Sequence, residues 1–338
     1  MTYCLIGCGR IANNHIAAAK NNNLQIAALC DIDPNAINKN IGATDAQVFE
    51  HYHDMLRVIK PELAAIATPS GLHAQMALDC LAAGAHVIIE KPIAMCMHDA
   101  KKIAEAAKKA NLVAAVCLQN RFNPAVTALK KAVDAGRFGR IYGASMQLSW
   151  HRGQEYYDSA AWRGTLAQDG GVMMNQSIHG IDLLNWMMGS DPVEVTALTG
   201  TLARKIEAED IGLALLRYPN GALANLSCTT LRYHGAEEQL LEINGETGFV
   251  RLGGTSAQMI DVWRFDDNNP GEEDRMRREF STSPAHVYGH SHGLLYADVL
   301  HAITSQSRPF IDSTQGSKAL RIILAAYESA KTGRSIAL

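Results

Sequence analysis

The sequence predicts an α/β protein of two domains: an N-terminal parallel sheet covered by helices, and a C-terminal α/β domain with a large open, mostly antiparallel sheet. Up to about residue 118, short apolar runs alternate with helical patterns, which is typical of parallel strands buried on both faces. After Asn120 the strand-like segments are longer, alternate in part and are separated by turn sequences, as in antiparallel hairpins. The 338 residues suffice for two cores, and we expect domains over residues 1–119 and 120–338.

Apolar runs and helical periodicity place the elements of the N-terminal domain. Ligands of open parallel sheets bind outside the carboxyl ends of the strands, so the residues that follow each run are candidates for a site. Helical patterns cover Asn13–Asn21, His73–Ala83 and His98–Ala110. The predicted strands are Tyr3–Ile6, Ile26–Cys30, Ala64–Ala67, Val87–Ile89 and Val113–Leu118.

The C-terminal domain is predicted to contain six strands, some of them joined by tight turns. Pro219-Asn220-Gly221 and Asn244-Gly245 are turn sequences between strand candidates. The polar and charged stretch from Asp266 to Pro284 is expected to be a loop. The predicted strands are Ile141–Trp150, Val193–Leu202, Ile211–Tyr218, Ala222–Leu231, Leu240–Asn244 and Met259–Phe265.

Two helices are predicted beside this sheet. One runs from about Gly171 to Met188. The other runs from about residue 314 to 331, with Asp312 or Ser313 as its N-cap and Gly333 just past its end. We expect this last helix to pack back towards the N-terminal domain.

The composition is that of an ordinary globular protein. Hydrophobic residues make up 47%, charged residues 19%, and the formal net charge is −3, so bulk electrostatics favours neither nucleic acid nor a membrane as partner. No apolar stretch is long enough to span a bilayer and the chain starts directly with a strand, so we expect a cytoplasmic protein. The seven cysteines are scattered without CxxC spacing and are expected to be buried free thiols.

The hexapeptide Gly7-Cys8-Gly9-Arg10-Ile11-Ala12 lies between the first strand and the first helix, as in a dinucleotide-binding Rossmann motif. Gly7 permits the tight turn, Gly9 lets the backbone approach a pyrophosphate, and Ala12 allows close packing of helix on strand. The helix N-terminus then presents N–H groups to the phosphates. GxGxxA by itself is a weak signal, because a glycine turn without a ligand has the same pattern.

An acidic residue at the end of the second strand strengthens the nucleotide motif. Asp31 lies about 20 residues after the glycines, where it is expected to accept hydrogen bonds from the adenosine ribose. Ile32 and Asp33 follow, with no lysine or arginine close by to hold a 2′-phosphate. We therefore predict NAD rather than NADP as the cofactor.

The segment Thr68-Pro69-Ser70-Gly71-Leu72-His73 follows the next predicted strand at the same edge of the sheet. We expect it to line the pocket of the nicotinamide ribose. His73 fits equally well as the first residue of the following helix, without any ligand.

The tripeptide Glu90-Lys91-Pro92 comes at that edge one strand further along. A residue before proline is held in extended geometry, so the backbone directs Lys91. A partly desolvated lysine can hydrogen-bond a substrate hydroxyl or the carbonyl formed from it. The alternative is an ordinary surface lysine that ends a strand.

The helix predicted from Gly171 carries a polar stripe. Asn175, His179 and Asp182 fall at i, i+4 and i+7 and share one face, whereas Met174 and Ile178 belong to an apolar face. Histidine is the side chain best suited to accept a hydroxyl proton near neutral pH. The stripe fits the wall of a cleft as well as it fits a solvated face.

The glycine hexapeptide, Glu90-Lys91-Pro92 and the helix with His179, in this order, give the chain a clear resemblance to the Gfo/Idh/MocA family (glucose–fructose oxidoreductase, inositol dehydrogenase, rhizopine catabolism). The resemblance implies a Rossmann domain followed by an α/β domain with an open sheet, through which a homodimer or homotetramer forms. It also implies Lys91 and His179 as the catalytic pair. His179 would remove the proton of a sugar hydroxyl and Lys91 would stabilise its oxygen.

Further motifs resemble a branch of this family that oxidises C3 of UDP-N-acetyl-glucosaminuronic acid during the synthesis of lipopolysaccharide sugars. Inositol-type members have an aspartate four residues before the histidine, whereas this chain has Asn175, which cannot take up a proton and is expected to orient substrate or Lys91. The motifs are Gln119-Asn120-Arg121-Phe122-Asn123-Pro124, Trp162-Arg163-Gly164-Thr165, Asp169-Gly170-Gly171, Asn175-Gln176-Ser177-Ile178-His179 and Ile243-Asn244-Gly245-Glu246-Thr247-Gly248.

On this resemblance the cofactor is NAD and the substrate is a UDP-sugar acid. Arginine matches carboxylate and phosphate in a bidentate manner, although surface arginines without a ligand are an equal alternative. Contacts to the cofactor are expected from Gly7, Gly9, Arg10, Ile11, Asp31, Ile32, Thr68, Ser70, His73, Glu90, Lys91, Gln119, Trp162 and Arg163. Contacts to the substrate are expected from Lys91, Arg121, Asn123, Arg163, Asn175, His179, Arg232 and His290.

Three other interpretations stay open or are set aside. The spacing of His286, His290 and His292, with His301 beyond, is compatible with zinc, but no acidic or cysteine ligand accompanies it and we expect no metal. An NAD(P)-dependent dehydrogenase or reductase of another sugar or polyol is a first alternative. A catalytically silent protein that binds NAD as a sensor or subunit is a second.

Overall fold

The computed structural model describes residues 1–42, 44–267, 269–282 and 291–338. It divides into two compact units. The first unit holds Met1–Gln119 and two later helices, Ser291–Ser305 and Ser313–Gly316. The second holds the described residues from 120 to 282 and the C-terminal segment Lys318–Leu338. The chain thus leaves the first unit after Gln119, and a later segment returns to it.

The strands of both units are numbered in chain order. They are β1 (Thr2–Ile6), β2 (Gln25–Cys30), β3 (Gln47–Phe49), β4 (Leu63–Ile66), β5 (His86–Ile89), β6 (Ala114–Val116), β7 (Ile141–Ser149), β8 (Glu194–Gly200), β9 (Ile211–Arg217), β10 (Leu223–Thr229), β11 (Glu238–Gly245), β12 (Gly248–Gly253), β13 (Met259–Phe265) and β14 (Ile336–Ala337).

The helices are numbered in the same way, with short 3₁₀ turns at Ser70–Leu72 and Gln119–Phe122 and a π-helical turn at Val172–Gln176. They are α1 (Ala12–Asn21), α2 (Pro34–Ile41), α3 (Tyr52–Ile59), α4 (His73–Ala82), α5 (Met97–Ala110), α6 (Pro124–Asp134), α7 (Gln154–Asp158), α8 (Ile178–Met188), α9 (Glu272–Phe280), α10 (Ser291–Ser305), α11 (Ser313–Gly316) and α12 (Lys318–Thr332).

The sheet of the first unit is parallel throughout, in the order β3-β2-β1-β4-β5-β6. The strand order reverses beside β1, where a ligand of such a sheet binds. All five predicted strands are confirmed. The edge strand β3 was missed because it has only three residues and exposes Val48, so it forms no apolar run.

The sheet of the second unit has the order β13-β12-β11-β7-β10-β9-β8-β14. Adjacent strands of this sheet are antiparallel, except that β7 and β10 run parallel to each other. The six predicted strands are present, with ends that differ by no more than two residues, and the predicted α/β fold class is confirmed. The predicted turn at Pro219-Asn220-Gly221 joins β9 to β10, and Gly221 has φ +85° there. Asn244 and Gly245 instead remain paired within β11, and the turn follows them.

Two predicted segments of the second unit differ from the structure. The helix expected from Gly171 is interrupted, because the π-helical turn ends at Gln176 and α8 starts only at Ile178. The stretch expected to be a loop contains α9, which has acidic residues in its first turn and arginines in its last, a pattern that complements the helix dipole. High polarity by itself indicates a loop, whereas the order of the charges along this stretch is typical of a helix.

The last helix begins as predicted, with the Asp312 carboxylate accepting a hydrogen bond from the Gln315 N–H. A break at Ser317 separates α11 from α12, and Gly333 adopts φ +68° beyond the end. Of the two parts, α11 packs on α5 and β6 of the first unit, whereas α12 packs on β8 and α8 of the second. Its buried face of leucine, isoleucine and alanine accounts for this, because it matches the apolar side of the sheet.

The two faces of the second sheet differ. α8 and α12 cover one face, where alternate residues of β8, β9 and β10 are buried. The opposite face of these strands exposes Leu198, Leu213, Leu215 and Leu223. Within the described ranges of the chain, none of the helices is long and apolar enough to cross a membrane.

Candidate active site

The loop between β1 and α1 carries the glycines of the nucleotide motif. Gly7 has φ +95°, and a Cβ there would lie 2.4 Å from the carbonyl oxygen of Ala67, so only glycine fits. A Cβ at Gly9 would meet nothing within 4 Å, so the space beside its backbone is open. α1 begins two residues after Arg10, and its N-cap residue Ile11 makes no side-chain capping hydrogen bond. The loop and helix therefore fit a diphosphate group.

Asp31 lies beside this loop at the end of β2. Its Oδ2 accepts a hydrogen bond from the Cys8 N–H at 2.7 Å, and its Oδ1 accepts one from the Asp33 N–H at 2.9 Å. These amides hold the carboxylate in place and leave lone pairs for ribose hydroxyls. Ile32 exposes 80% of its surface, which provides an apolar patch next to that carboxylate. The residues present thus fit the adenosine half of NAD.

His73, the first residue of α4, connects two loops at this edge of the sheet. Its Nδ1 lies 2.7 Å from the carbonyl oxygen of Pro92 and its Nε2 lies 3.0 Å from that of Thr68. Burial lowers the pKa of His73, and the two carbonyls act in the opposite direction. The side chain therefore braces the loop after β4 against the loop that carries Lys91.

Lys91 follows β5 directly and is half-buried. Its backbone N–H donates to the Glu90 Oε2 at 3.2 Å, and its peptide bond to Pro92 is cis. The strand end, the neighbouring carboxylate and the His73 brace together hold this backbone segment. Lys91 is thereby placed at the carboxyl edge of the sheet, as the sequence predicts.

Glu90 is buried and faces two histidines of its own unit. Its Oε1 lies 3.2 Å from Nε2 of His15 and 3.6 Å from Nε2 of His292. Burial by itself would raise the pKa of Glu90, but the hydrogen bond with His15 and the nearby His292 bring it well below its usual range. His15 is held in turn by the Tyr296 hydroxyl, 2.7 Å from its Nδ1. Glu90, predicted to contact the cofactor, thus directs its carboxylate to α1 and α10.

Four atoms that could bind a metal lie within 4.8 Å of one another. They form a cluster of one atom each from His15, Glu90, Cys117 and His292. The Glu90 carboxylate is already hydrogen-bonded to the His15 imidazole. Burial raises the pKa of the Cys117 thiol well above its ordinary value, which disfavours the thiolate that a metal requires. We therefore interpret the cluster as a hydrogen-bonded support for the Glu90-Lys91 segment.

In the second unit, Asn175 and His179 lie on either side of the junction between the π-helical turn and α8. The Asn175 N–H donates to the Gly171 carbonyl at 2.9 Å. The buried carboxylate of Asp169 accepts from the Gly164 N–H at 2.7 Å and from the Asn175 side-chain amide. Asp169 therefore sets the orientation of the Asn175 amide.

Asp182 was predicted on the polar stripe with Asn175 and His179, but it is buried. Its two oxygens accept hydrogen bonds from the Arg121 guanidinium at 2.6 and 2.8 Å. Arg121 is 2% exposed and stacks on the Trp186 ring, 5.1 Å from its centroid. This bidentate ion pair ties the start of the second unit to α8, which corrects the prediction for Asp182 and gives Arg121 a structural role that the sequence did not reveal.

The remaining predicted contacts are distributed through the second unit. Arg163 donates to the Tyr156 hydroxyl at 2.6 Å and lies 4.6 Å from the centroid of the Trp162 ring. Arg232 is exposed and donates to the Ala236 carbonyl at 3.1 Å, and Asn123 is buried with its amide 3.5 Å from the Ser256 carbonyl. Gln119, at the end of the first unit, is also buried, and His290 lies outside the described residues.

Comparisons with known proteins agree with this geometry. Residues 1–118 match the model of the oxidoreductase family with an NAD-binding Rossmann fold, and residues 126–251 match the Gfo/Idh/MocA C-terminal domain. The WlbA dehydrogenase of Bordetella pertussis, crystallised with NADH and UDP-GlcNAcA, is 39% identical, with a TM-score of 0.94 over 100% of this chain and 97% of that one. The chain belongs to the Gfo/Idh/MocA family.

Two more relatives show the breadth of the family. The WlbA dehydrogenase of Chromobacterium violaceum, also solved with NADH and UDP-GlcNAcA, is 38% identical, with a TM-score of 0.92 over 100% of this chain and 96% of that one. The D-glucoside 3-dehydrogenase of Escherichia coli is 24% identical over 99% of this chain and 96% of its own length. The predicted family and the prediction of an NAD-dependent oxidoreductase are confirmed.

Sequence reasoning missed several residues that support this Gfo/Idh/MocA site. His15 lies three residues after the glycine motif, and a histidine so close to the pyrophosphate loop was the available signal. Asp169 belongs to the motif Asp169-Gly170-Gly171, but no local pattern links it to the Asn175 amide. Glu209, next to Asp210 before β9, gave no signal at all, because its partners lie more than thirty residues away in sequence. The roles predicted for individual site residues stay predictions.

Proposed function

We propose that the protein is an NAD-dependent dehydrogenase that oxidises the C3 hydroxyl of UDP-N-acetyl-glucosaminuronic acid to a ketone. The observation that carries this proposal is the match over the full chain, at 38–39% identity, to two dehydrogenases crystallised with NADH and UDP-GlcNAcA. The glycine loop, Asp31 and Lys91 at one sheet edge support it from this chain's own residues.

Three side chains are assigned to the reaction. His179 accepts the proton of the C3 hydroxyl, and the Lys91 ammonium hydrogen-bonds the oxygen as negative charge develops on it. Asn175, whose amide is oriented by Asp169, positions the substrate and exchanges no proton. NAD supplies the acceptor for the hydride that leaves C3.

The uronic acid and the diphosphate need cationic partners. Arg163 and Arg232 are the arginines we assign to them, because Arg232 is exposed and Arg163 is only half-buried. Arg121 is less suited, because two nitrogens of its guanidinium group already donate hydrogen bonds to the Asp182 carboxylate. This part of the proposal predicts that a UDP-sugar acid binds more tightly than the corresponding neutral UDP-sugar.

The exposed face of the second sheet supports self-association as a homodimer or homotetramer. Leu198 pairs across strands with Leu213, and Leu215 lies two residues further on the same face with 65% of its surface exposed. Apolar residues clustered on a solvated sheet face are typical of an interface. Light scattering tests this: Leu215→Asp should lower the mass of the assembly, whereas an unchanged mass would contradict the assignment of this face.

The family relationship also suggests a place in the synthesis of lipopolysaccharide sugars in the cytoplasm. The seven free cysteines are compatible with a reducing compartment. A strain lacking the gene should lose the surface polysaccharide and regain it on complementation.

A substrate panel tests the main proposal. UDP-N-acetyl-glucosaminuronic acid, UDP-N-acetylglucosamine, free glucosides and inositol are each mixed with enzyme and NAD, and NADH is followed by absorbance. Turnover of the UDP-sugar acid alone is the expected result. Preferred turnover of a glucoside or polyol would establish another sugar dehydrogenase, and tight NADH binding without any turnover would establish a catalytically silent protein.

A further inference from the structure

Glu209 is a buried carboxylate that lies directly before β9. It exposes 6% of its surface. A single oxygen, Oε1, accepts two hydrogen bonds, from the Met173 N–H at 2.9 Å and from the Tyr327 hydroxyl of α12, also at 2.9 Å. The carboxylate thus connects the π-helical turn to the last helix of the same unit.

The backbone of Glu209 holds the turn as well. Its carbonyl oxygen accepts from the Val172 N–H at 2.9 Å. A Cβ at Gly171 would lie 1.9 Å from Oε2, so glycine is needed for the carboxylate to lie against the chain here. Gly171 in turn accepts from the Asn175 N–H. Two consecutive peptide groups at the start of the turn are therefore anchored by one residue.

From these contacts we propose that Glu209 is a positioning residue for the reaction: it sets the π-helical turn that carries Asn175 and leads into the helix of His179. The inference rests on the roles proposed above for those two side chains. Glu209 acts through the backbone of Met173 and Val172. Loss of its carboxylate would release the Met173 peptide of the turn and displace Asn175 and His179 from the substrate.

The groups around Glu209 indicate that its carboxylate is held against an electrostatic penalty. The titratable groups near this carboxylate are Asp210, the next residue in the chain, Tyr327 of α12 and Cys228 of β10. Burial, with a smaller contribution from Asp210, raises the pKa of Glu209 to about 7. Asp210 itself is caged by three amides, from Leu202, Ala203 and Arg204, at 2.8–2.9 Å.

Two variants separate the hydrogen bonds from the charge. Glu209→Gln keeps an oxygen that accepts from the Met173 N–H and the Tyr327 hydroxyl, whereas Glu209→Ala removes both bonds. We expect Glu209→Ala to lower kcat by about 10- to 100-fold through misplacement of the reacting groups, with KM for NAD unchanged. Glu209→Gln should retain most of kcat. The control is Glu328→Ala, an exposed carboxylate on α12, which should behave as wild type.

Hydrogen exchange measures the same effect without turnover. Amides of residues 173–177 should exchange about tenfold faster in Glu209→Ala, with wild-type exchange in Glu209→Gln. If Glu209→Ala does not fold, Glu209→Asp provides the test, since its shorter side chain cannot reach the Met173 N–H. Wild-type kcat and exchange in the folded Ala or Asp variant would overturn the proposal. If the wild-type protein does not turn over the sugar but Glu209→Ala still exchanges faster, Glu209 holds the π-helical turn as proposed and the proposed reaction is wrong.

Discussion

Substitution of Glu209 by glutamine should make the folded protein more stable, and the gain should depend on pH. The carboxyl group has an ordinary pKa of 4.5 and one of about 7 in the folded chain, because burial penalises its charged form. The folded state therefore binds a proton more tightly than the unfolded state. Its contribution to stability is fully present below about pH 4.5 and is lost as the pH rises through about 7.

The magnitude follows from the two pKa values. The interval between 4.5 and about 7, at about 1.4 kcal/mol for each pH unit, corresponds to a stability difference on the order of 3 kcal/mol. Glutamine keeps the shape and the accepting oxygen but carries no charge at any pH. The difference between the variant and the wild type should therefore grow by about that amount between pH 4.5 and pH 8.5.

Urea unfolding followed by tryptophan fluorescence measures this difference in the relevant part of the molecule. All four tryptophans, Trp150, Trp162, Trp186 and Trp263, belong to the second unit, as does Glu209. The free energy of unfolding is obtained for both proteins at several pH values. A difference that does not change with pH, or a variant that is less stable than wild type at pH 8.5, would refute the reasoning.

Three further predictions concern other parts of the chain. Asp182→Ala should destabilise the second unit by about 3–5 kcal/mol in the same fluorescence assay, because it leaves the Arg121 guanidinium buried without its ion pair. The control is Glu194→Ala, which breaks the exposed ion pair with Arg217, and an equally small loss in both variants would contradict a buried salt bridge. Asp31→Asn should weaken NADH binding by about tenfold or more, since it removes a charged acceptor for ribose hydroxyls, while Asp33→Asn serves as the control; equal affinities would refute the adenosine site. Protein purified without a nickel column and dialysed against EDTA should keep its activity, and a stoichiometric metal bound at the cluster of His15, Glu90, Cys117 and His292 would show that the support is a metal site instead.

The sequence was informative wherever function depends on neighbours along the chain. The glycine loop, Asp31 and Lys91 each follow a strand of a parallel sheet, and the ends of such strands meet at one edge by topology alone. Short apolar runs were enough to locate those strands. The fold class and the edge of the first unit that carries the nucleotide motif could therefore be predicted before any contact was known.

Contacts between distant residues could not be predicted in this way. Arg121 and Asp182 are 61 residues apart, and Glu209 and Tyr327 are 118 apart. Their partners are selected by packing, since a buried charge requires a matching group wherever the fold supplies one. The helical stripe failed at Asp182 for the same reason, because this residue is buried against the distant Arg121. The π-helical turn before α8 changes only the position of Asn175 relative to the helix.

Lys91 is central to the proposed reaction, and its removal is the most direct test. The measurement is turnover of UDP-N-acetyl-glucosaminuronic acid with NAD by Lys91→Met, alongside NADH binding by the same protein and the exposed-lysine control Lys101→Met. We predict that kcat of Lys91→Met falls by about 10²- to 10⁴-fold while NADH still binds and the control keeps wild-type activity. Near wild-type turnover by Lys91→Met would contradict the account.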